Sequence, residues 1–555
     1  MPQFPDDKAR RKLDQLRHRE AEDATKLAAD HWRIPYVDLS ALPVEIDALK
    51  VIPEEDARRA EAVAFQVAGT HLKVAVRNPE NPATIALLDD LARRRFVCER
   101  YLISVYGLEH AWESYEHIPE SHGASAGAIE LSAEKVAATL QEMTTLADVR
   151  KKIEASFFGR TSEALEIILA GALAMDASDI HIEPQKQSVR LRLRMDGTLH
   201  DITDLPTKLF TLLLSRLKLI AELKLNIHDR SQDGRFTVAL RDTAIEIRMS
   251  VLPGPDGENI VMRVLNPKAI SLSIRDLGLQ PWIADALEKE LRKPNGLILT
   301  TGPTGSGKTT TLYTFLRAVH SPEIKIITIE DPIEYHLAGI EQTQTDAEKG
   351  YDFANGLRAI VRQDPDIILV GEIRDLETAE TAMHAALTGH LVFSTLHTND
   401  AAGTIPRLID LGVRPAIISP AINVAMAQRL VRKLCAACRL PVHPDDPAYA
   451  AVKNELTLLP AGIPVPAEGM WTIFRAETAA RVCPACGGIG YKGRTGVYEI
   501  ILVNDSMEQL ILQSASEADI KKEAVMQKQI TMRQDGLLKI AAGITDLAEV
   551  ERMVG

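Results

Sequence analysis

Long apolar runs and cysteine are both scarce in this sequence. No uninterrupted apolar stretch approaches the length of a membrane span, and the opening residues, MPQFPDDKARRKLDQLRHRE, contain no apolar core of a secretory signal. Only five cysteines occur, and four of them form two Cys-x-x-Cys pairs, a pattern that in such a chain favours metal ligation over disulfides. We therefore expect a cytoplasmic protein that contacts membranes only peripherally.

An excess of positive charge is also absent. The 64 Lys and Arg residues are outnumbered by 77 Asp and Glu residues, which gives a formal net charge of -13. Proteins that grip nucleic acids through phosphate contacts usually show the opposite balance, so we expect no nucleic-acid partner. Apolar residues make up 46% of the 555 positions, enough to bury several cores, and the length predicts about three or four domains.

Changes of periodicity along the chain divide it into segments of mixed helix and strand. The stretch AVAFQVAGTHLKVAVRNPENP alternates like two paired strands with a turn, whereas short apolar strands alternate with helices after about residue 290. The second pattern is typical of a mostly parallel, helix-covered sheet, so the predicted fold class is multidomain α/β. The predicted segments are a first N-terminal domain (1–120), a linker (121–148), a second N-terminal domain (149–272), a connector (273–288), a core domain (289–430), a cysteine-bearing element (431–500) and a C-terminal helical region (501–555).

The segment GPTGSGKT matches the phosphate-loop pattern G-x-x-x-x-G-K-[ST] and lies between a strand candidate and a helix candidate, as that pattern requires. Glycines let successive N–H groups point inward, and the helix start adds positive potential for phosphate oxygens. Lys308 is predicted to reach the β- and γ-phosphates of ATP, and Thr309 to place its hydroxyl on Mg²⁺. The predicted nucleotide-binding residues here are Gly302, Pro303, Thr304, Gly305, Ser306, Gly307, Lys308, Thr309 and Thr310.

Two acids and a histidine follow further strand candidates. Glu330 comes at the end of the run KIITIE and Glu372 follows IILVG, so both are expected at the edge of the sheet, where metal-holding and water-orienting acids of phosphate-loop enzymes stand. A solvated helix cap is the alternative for either acid taken alone. His397 ends the strand LVFSTL, where it either contacts the γ-phosphate or serves only a structural role.

The two cysteine pairs predict a structural zinc site. Cys435 and Cys438 in LCAACRL, with Cys483 and Cys486 in VCPACGG, can present four thiolates to a tetrahedral ion and leave no open position. A redox dithiol is the alternative, and the unpaired Cys98 is interpreted as a buried apolar residue. The flanking sequence lacks the interleaved aromatics of nucleic-acid-binding zinc ribbons.

Four segments together, GPTGSGKT, ITIEDPIEY, DPDIILVGEIRD and TGHLVFSTLHTNDA, resemble the Walker A, Asp box, Walker B and His box of the bacterial type II/type IV secretion-ATPase family. The resemblance extends to ASDIHIEP and RMSVLPGPDGENIVMRVL in the second N-terminal domain, to AQRLVRKLC and GRTGVYEI near the C-terminus, and to IPYVDLS in the first domain. The tetracysteine element occurs in the assembly and secretion members of the family and is missing from its pilus-retraction branch.

The resemblance implies a homohexameric ring in which each subunit has a RecA-like ATPase core at 289–430. The second N-terminal domain would be PAS-like, and the nucleotide would lie between these two domains. Glu330 would activate the attacking water, and Glu372 would support Mg²⁺. Family arginines that grip phosphate match Arg248 and Arg263 in the second N-terminal domain and Arg358 and Arg362 in the core, for which structural ion pairs are the alternative.

The resemblance further implies a mechanochemical ATP hydrolase that powers pilin polymerisation in type IV pilus assembly. Its partners would be an inner-membrane platform protein and, through the first N-terminal domain, a cytoplasmic alignment-subcomplex protein. The opening residues lack the arginine-leucine-glycine signature of members that bind cyclic di-GMP, so that regulation is not expected. The alternatives are a type II secretion ATPase, a RecA-like nucleic-acid translocase and a phosphate-loop kinase acting on a small molecule.

Overall fold

A computed structural model divides the chain into two units, Met1–Gly123 and Ala124–Gly555. No helix in the described part of the chain is long and apolar enough to cross a membrane. The predicted linker, 121–148, lies mostly outside the described residues. The structure describes residues 21–32, 34–39, 44, 46–68, 71–94, 96–113, 115, 128–130, 142–240, 243–465, 471–477 and 483–555.

The first unit is a three-stranded sheet covered by helices. Strands β1 and β2 pair antiparallel, which confirms the hairpin predicted from their alternation, and β3 joins β2 in parallel. Helix α3 makes that crossover; Pro82 starts it and the Asn81 side chain accepts a hydrogen bond from the Ala83 amide. Cys98 lies half-buried against this core rather than fully inside it. The elements, after a helix over 21–32, are α1 Ile46–Val51, α2 Glu54–Arg59, β1 Ala62–Ala68, β2 His71–Val76, α3 Pro82–Arg93, β3 Val97–Leu102 and α4 Val105–Glu113.

The second unit begins with a seven-stranded sheet in the order β4-β8-β9-β10-β5-β6-β7, which forms the second N-terminal domain. Apart from the parallel pair β4 and β8, neighbouring strands run antiparallel. In β6, VRLRLRM, every second residue is buried and the arginines face outward, so one face of the sheet covers the core. The elements are β4 Ala128–Glu130, α5 Leu146–Ala155, α6 Thr161–Ala174, β5 Asp179–Pro184, β6 Val189–Met195, β7 Thr198–Leu205, α7 Thr207–Ile220, β8 Gln232–Ala239, β9 Ala244–Gly254 and β10 Gly257–Leu265.

The core domain is built on a second seven-stranded sheet, in the order β13-β12-β14-β15-β11-β16-β19. All neighbours are parallel except β16 and β19. Strands β11, β12, β14 and β15 are buried at every residue because helices cover both faces. The elements are α8 Pro281–Glu290, β11 Gly296–Thr301, α9 Lys308–Val319, β12 Ile326–Glu330, β13 Glu341–Gln344, α10 Phe353–Val361, β14 Ile367–Val370, α11 Leu376–Leu387, β15 Leu391–Leu396, α12 Thr404–Asp410, α13 Pro415–Ala421, β16 Ile422–Leu434 and β19 Tyr491–Leu502.

Most of the last strand of this sheet, β19, lies within the stretch 431–500 that was predicted to be the cysteine-bearing element. Strand β19 pairs with β16 from Val424 opposite Leu502 to Leu434 opposite Tyr491. This pairing joins residues that are far apart in the chain, so no local pattern reveals it. The chain between β16 and β19 leaves this sheet. It contains β17 Leu440–Pro441, α14 Pro447–Thr457 and β18 Phe474–Arg475, and β17 pairs with β18.

Four helices follow, and a buried ion pair fastens one of them to the sheet. Asp535 and Lys539 on α17 are almost completely inaccessible and pair with each other. The Asp535 carboxylate also accepts hydrogen bonds from the side-chain amide of Gln280, at 2.7 Å, and from the backbone N–H of Tyr498, at 2.9 Å. The C-terminal region is thereby tied to the connector and to β19. Its helices are α15 Asp505–Leu512, α16 Glu517–Met526, α17 Met532–Ala541 and α18 Leu547–Val554.

Replacing Lys539 by Met should lower the free energy of unfolding of the core domain by about 3–5 kcal/mol, because it leaves the Asp535 carboxylate buried without its cation. Urea denaturation followed by tryptophan fluorescence measures this change. The matched control is K349M, since Lys349 is exposed and pairs only on the surface with Asp346. A K539M midpoint equal to that of K349M would show that the buried pair contributes nothing to stability.

Candidate functional site

The predicted phosphate loop connects the carboxyl end of β11 to the start of α9. Its glycines at 302, 305 and 307 have φ values of 148°, 79° and 90°, which side chains disfavour. Helix α9 begins at Lys308, and Gly307 at its N-cap offers no capping side chain. The first-turn N–H groups and the glycine backbone together make the concave, positive surface that suits phosphate oxygens.

The lysine of the loop folds back over it. Lys308 Nζ donates to the carbonyl oxygens of Gly302, at 2.6 Å, and Pro303, at 3.2 Å. Burial lowers the pKa of Lys308, while the charge of Glu372 acts in the opposite direction. The Lys308 ammonium group therefore lies over the glycine loop, near the Glu372 carboxylate.

Strand β16 supports the loop from beneath through two residues that sequence reasoning missed. Gln428 is buried and accepts a hydrogen bond from Thr311 Oγ1 at 2.9 Å, and a Cβ placed on Gly302 would lie 2.6 Å from the Gln428 carbonyl oxygen. That Cβ would also lie 3.2 Å from Arg429 Nη1, and Arg429 Nη2 donates to the Asn399 carbonyl oxygen at 3.1 Å. Both residues belong to the AQRLVRKLC segment, but that pattern does not show which strand lies under the loop.

Glu372 stands at the centre of a charged cluster beside the loop. One carboxylate oxygen pairs with Arg374, and the other lies 3.3 Å from His397 Nε2. Arg374 also lies 3.8 Å from Asp331, and its pKa is raised chiefly by the hydrogen bond to Glu372. The structure thus places Lys308, Glu372 and His397 near one another and adds Arg374, which sequence reasoning missed although it lies in the quoted segment GEIRD.

Glu330 is buried at the end of β12. Its carboxylate accepts hydrogen bonds from Thr328 Oγ1, at 2.6 Å, from Gln342 Nε2, at 3.1 Å, and from the Tyr313 hydroxyl. Burial, followed by the charge of Glu330, raises the pKa of Tyr313, so the phenol stays a proton donor. In the described structure, the hydrogen bonds of Glu330 go to these neutral groups and not to the loop.

The four predicted arginines lie in two other places. Arg248 and Arg263 face the segment after β12: Arg248 donates to Glu334 Oε2 at 3.0 Å, and Arg263 donates to Asp179 Oδ1 at 3.3 Å. They line a cavity of about 540 Å³ between the second N-terminal domain and the core domain. Arg358 on α10 pairs with Glu377, and Arg362 is exposed at the end of that helix. No described hydrogen bond or ion pair joins any of the four to the phosphate loop.

The four cysteines that the sequence pairs as Cys-x-x-Cys come together at the far ends of β16 and β19. The sulfurs of Cys435 and Cys483 are 3.9 Å apart, those of Cys438 and Cys486 are 3.7 Å apart, and all four lie within 4.8 Å of one another. Four thiolates bound at about 2.3 Å to a tetrahedral zinc ion are themselves about 3.8 Å apart, so the observed spacing fits such an ion.

The environment of the sulfurs also fits a metal. Backbone N–H groups, that of Cys486 foremost, lower the pKa of Cys483 to about 7, whereas burial raises the pKa of Cys435 and Cys438. The Gly490 N–H donates to Cys486 Sγ at 3.3 Å. The same region also contacts the second N-terminal domain. A Cβ atom placed on Gly487 would lie 3.4 Å from the backbone nitrogen of Leu146. The backbone N–H of Gly493, in β19, donates to Asp196 Oδ2 at 2.8 Å. A metal at the four cysteines would therefore brace a contact between two domains.

The mostly parallel, helix-covered sheet with a glycine loop between β11 and α9 defines an α/β fold. Among solved structures, the Yersinia pseudotuberculosis ATPase DotB superposes with a TM-score of 0.51 over 71% of this chain and 94% of that chain, at 21% identity. The chain belongs to the family of type II/IV secretion system proteins, whose profile matches residues 156–552; a second profile, the MshEN domain, matches residues 32–121. The predicted family and the α/β fold class are both confirmed.

Two groups of curated relatives match this chain. The type IV pilus assembly ATPase PilB of Myxococcus xanthus is 36% identical over 96% of this chain and 91% of its own length. Type II secretion system protein E of Pseudomonas aeruginosa is 43% identical over 70% of this chain and 74% of its own length.

The space around the loop glycines can be tested with two alanine variants. G305A adds a methyl group that meets no atom within 4 Å, so it should cost only the backbone strain, about 1–2 kcal/mol of unfolding free energy. G302A adds strain at φ 148°, where side chains are disfavoured, and a clash with the Gln428 carbonyl, so its loss should exceed that of G305A by about 1–3 kcal/mol. Equal urea midpoints for the two variants would contradict the close packing of β16 under the loop.

Proposed function

We propose that this protein is the motor ATPase of type IV pilus assembly, a homohexamer that hydrolyses ATP to power pilin polymerisation. The observation that carries the proposal is the match to PilB of Myxococcus xanthus, which spans nearly the whole of both chains. The geometry supports it, since a phosphate loop, a lysine, a carboxylate and a histidine meet at one edge of a parallel sheet.

The loop residues predicted from the sequence would bind the nucleotide. The loop backbone and Lys308 would hold the β- and γ-phosphates, because Lys308 Nζ can exchange its carbonyl acceptors for phosphate oxygens. Thr309, exposed on the first turn of α9, and Glu372 would hold Mg²⁺. When bound, Mg²⁺ supplies the positive charge that offsets the charge gathering on the transferred phosphoryl group.

Two residues would act on the reacting atoms. Glu330 would orient and deprotonate the attacking water, a role that its position at the end of β12 and its buried carboxylate support. His397, whose Nε2 lies 3.3 Å from Glu372 Oε2, would contact the γ-phosphate and respond to its loss. Arg374 would hold Glu372 in place until the metal takes over that carboxylate.

The arginines would complete the site when the domains close. Arg248 and Arg263 line the cavity between the second N-terminal domain and the core, and both are partly exposed, so they can turn from Glu334 and Asp179 towards phosphate. Arg358 and Arg362, accessible on α10, would serve the same cleft from the core domain. Opening and closing of six such clefts would turn an inner-membrane platform protein, with the first N-terminal domain binding the cytoplasmic alignment subcomplex.

The four cysteines would hold a structural zinc ion, since four sulfurs at tetrahedral spacing leave no position for a substrate. Zinc would keep the loop before β19 ordered against the second N-terminal domain. The domains proposed from the sequence remain our assignment with two changes. Strand β19 moves to the core domain because it pairs with β16, and β4 and the start of α5 move from the linker to the second N-terminal domain.

A type II secretion ATPase is the second candidate, because protein E relatives have the higher identity over the part they match. Expression of this chain in a pilus-assembly mutant and in a type II secretion mutant that lack their own ATPases separates the two. Restored pili support our proposal, whereas restored secretion without pili would replace it. DNA-stimulated ATP turnover would instead favour a translocase, against which the net charge of -13 argues.

Replacing Lys308 by Ala should lower the rate of ATP hydrolysis by about a hundredfold or more, because the charge that stabilises the transferring phosphate is lost. A phosphate-release assay on the purified full chain measures the rate, and circular dichroism checks the fold. K289A, at an exposed lysine on α8, is the matched control and should keep wild-type turnover. Retained hydrolysis in K308A would refute the phosphate role of the loop.

Removing the metal should open the segment between Cys435 and Cys486 before the core sheet unfolds, because the ion holds both ends of that segment. The purified chain should contain one zinc per subunit by mass spectrometry of metals. Limited proteolysis after treatment with a chelator should cut this segment faster at unchanged urea midpoint of the core. The same cleavage pattern with and without chelator would favour a redox dithiol.

A further inference from the structure

The loop that carries His397 is attached to a C-terminal helix by an ion pair far along the chain. Asp400 Oδ2 lies 2.7 Å from Lys521 Nζ on α16, and its other oxygen accepts a hydrogen bond from the Gly403 N–H at 2.8 Å. Lys521 also pairs with Glu517 at 2.6 Å, and hydrogen bonds to these two carboxylates, Asp400 first, raise its pKa. Lys521 therefore stays charged at neutral pH.

The same loop is held to the phosphate site at three further points. The Thr398 N–H donates to Thr301 Oγ1, at the end of β11, at 2.7 Å. Arg429 donates to the Asn399 carbonyl oxygen, and the Ala401 N–H donates to Glu499 Oε1 at 2.9 Å. The loop of residues 397–403 therefore contacts Glu372 through His397 and helix α16 through Asp400.

Arg429 connects the two ends electrostatically. Burial lowers its pKa, and the opposite charges of Asp400 and Glu499 counter that effect. Its charge in turn lowers the pKa of Lys308, and its guanidinium lies against the Gly302 backbone. The Asp400 carboxylate thus pairs directly with Lys521 on α16, and Arg429 holds the neighbouring Asn399 carbonyl on the phosphate-loop side.

We infer that Lys521 is a positioning residue for ATP hydrolysis: by holding Asp400 on α16, it sets the position of the His397 loop and of Arg429 beside the phosphate loop. Without Lys521, the Asp400 end of the loop loses its outer anchor, and the contacts of Thr398, Asn399 and Ala401 remain. His397 then lies away from the reacting phosphate. The inference rests on the proposed function and adds a role for the C-terminal helical region.

The test compares K521M with K522M, a neighbouring lysine on α16 that pairs only with Asp519 in the described structure. K521M should lower kcat about threefold to tenfold and change the Kd for a fluorescent ATP analogue less than about twofold, because the phosphate loop itself stays formed. K521R should restore kcat, since it keeps the charge. K522M should behave like wild type in both measurements.

A double-mutant cycle tests whether Lys521 acts through Asp400. D400N keeps an oxygen for the Gly403 N–H but loses the charge, so K521M and D400N should each lower kcat and their combination should lower it little further. Wild-type kcat in K521M, an equal loss in K522M, or fully additive losses would overturn the inference. Absence of ATP turnover in the wild-type chain would instead contradict the proposed function, so the two failures are distinguishable.

Discussion

The close approach of strand β16 to the glycine loop is the constraint on which the rest of the site depends. The carbonyl oxygen of Gln428 occupies the space that a side chain at Gly302 would need. Because the loop lies on this strand, its glycine backbone curls between β11 and α9, and Lys308 folds back over it. The contact between β16 and the glycine loop therefore determines where Lys308 lies.

The second feature of the site is its balance of opposite, partly exposed charges. Lys308, Arg374 and Arg429 face Glu372, Asp331, Asp400 and Glu499 within one edge of the sheet, and each cation has a carboxylate near it. Opposite charges in a partly dry site interact strongly, so a change in one group is transmitted to the others. A nucleotide and its metal would enter this network by replacing contacts that already exist, such as those of Lys308 with the loop carbonyls.

Two structures outside the site connect it to the remainder of the chain. The buried Asp535 and Lys539 pair fixes the C-terminal helices to the connector and β19, and the cysteine cluster lies where β16 and β19 end, against the second N-terminal domain. Strand β16 therefore contacts the glycine loop near its middle, at Gln428 and Arg429, and leads at its carboxyl end into the cysteine cluster. One strand thus joins the loop to a domain contact.

The sequence by itself determined the phosphate loop, the acids at the strand ends, the tetracysteine set and the α/β class, because each depends on residues that are close in the chain and on turn chemistry that only certain residues permit. The tertiary structure alone decided that β19 joins the core sheet, that Gln428 and Arg429 support the loop, and that Arg248 and Arg263 face Glu334 in this chain. These contacts join residues distant in sequence, and periodicity fixes the face of a strand but not its neighbour in a sheet.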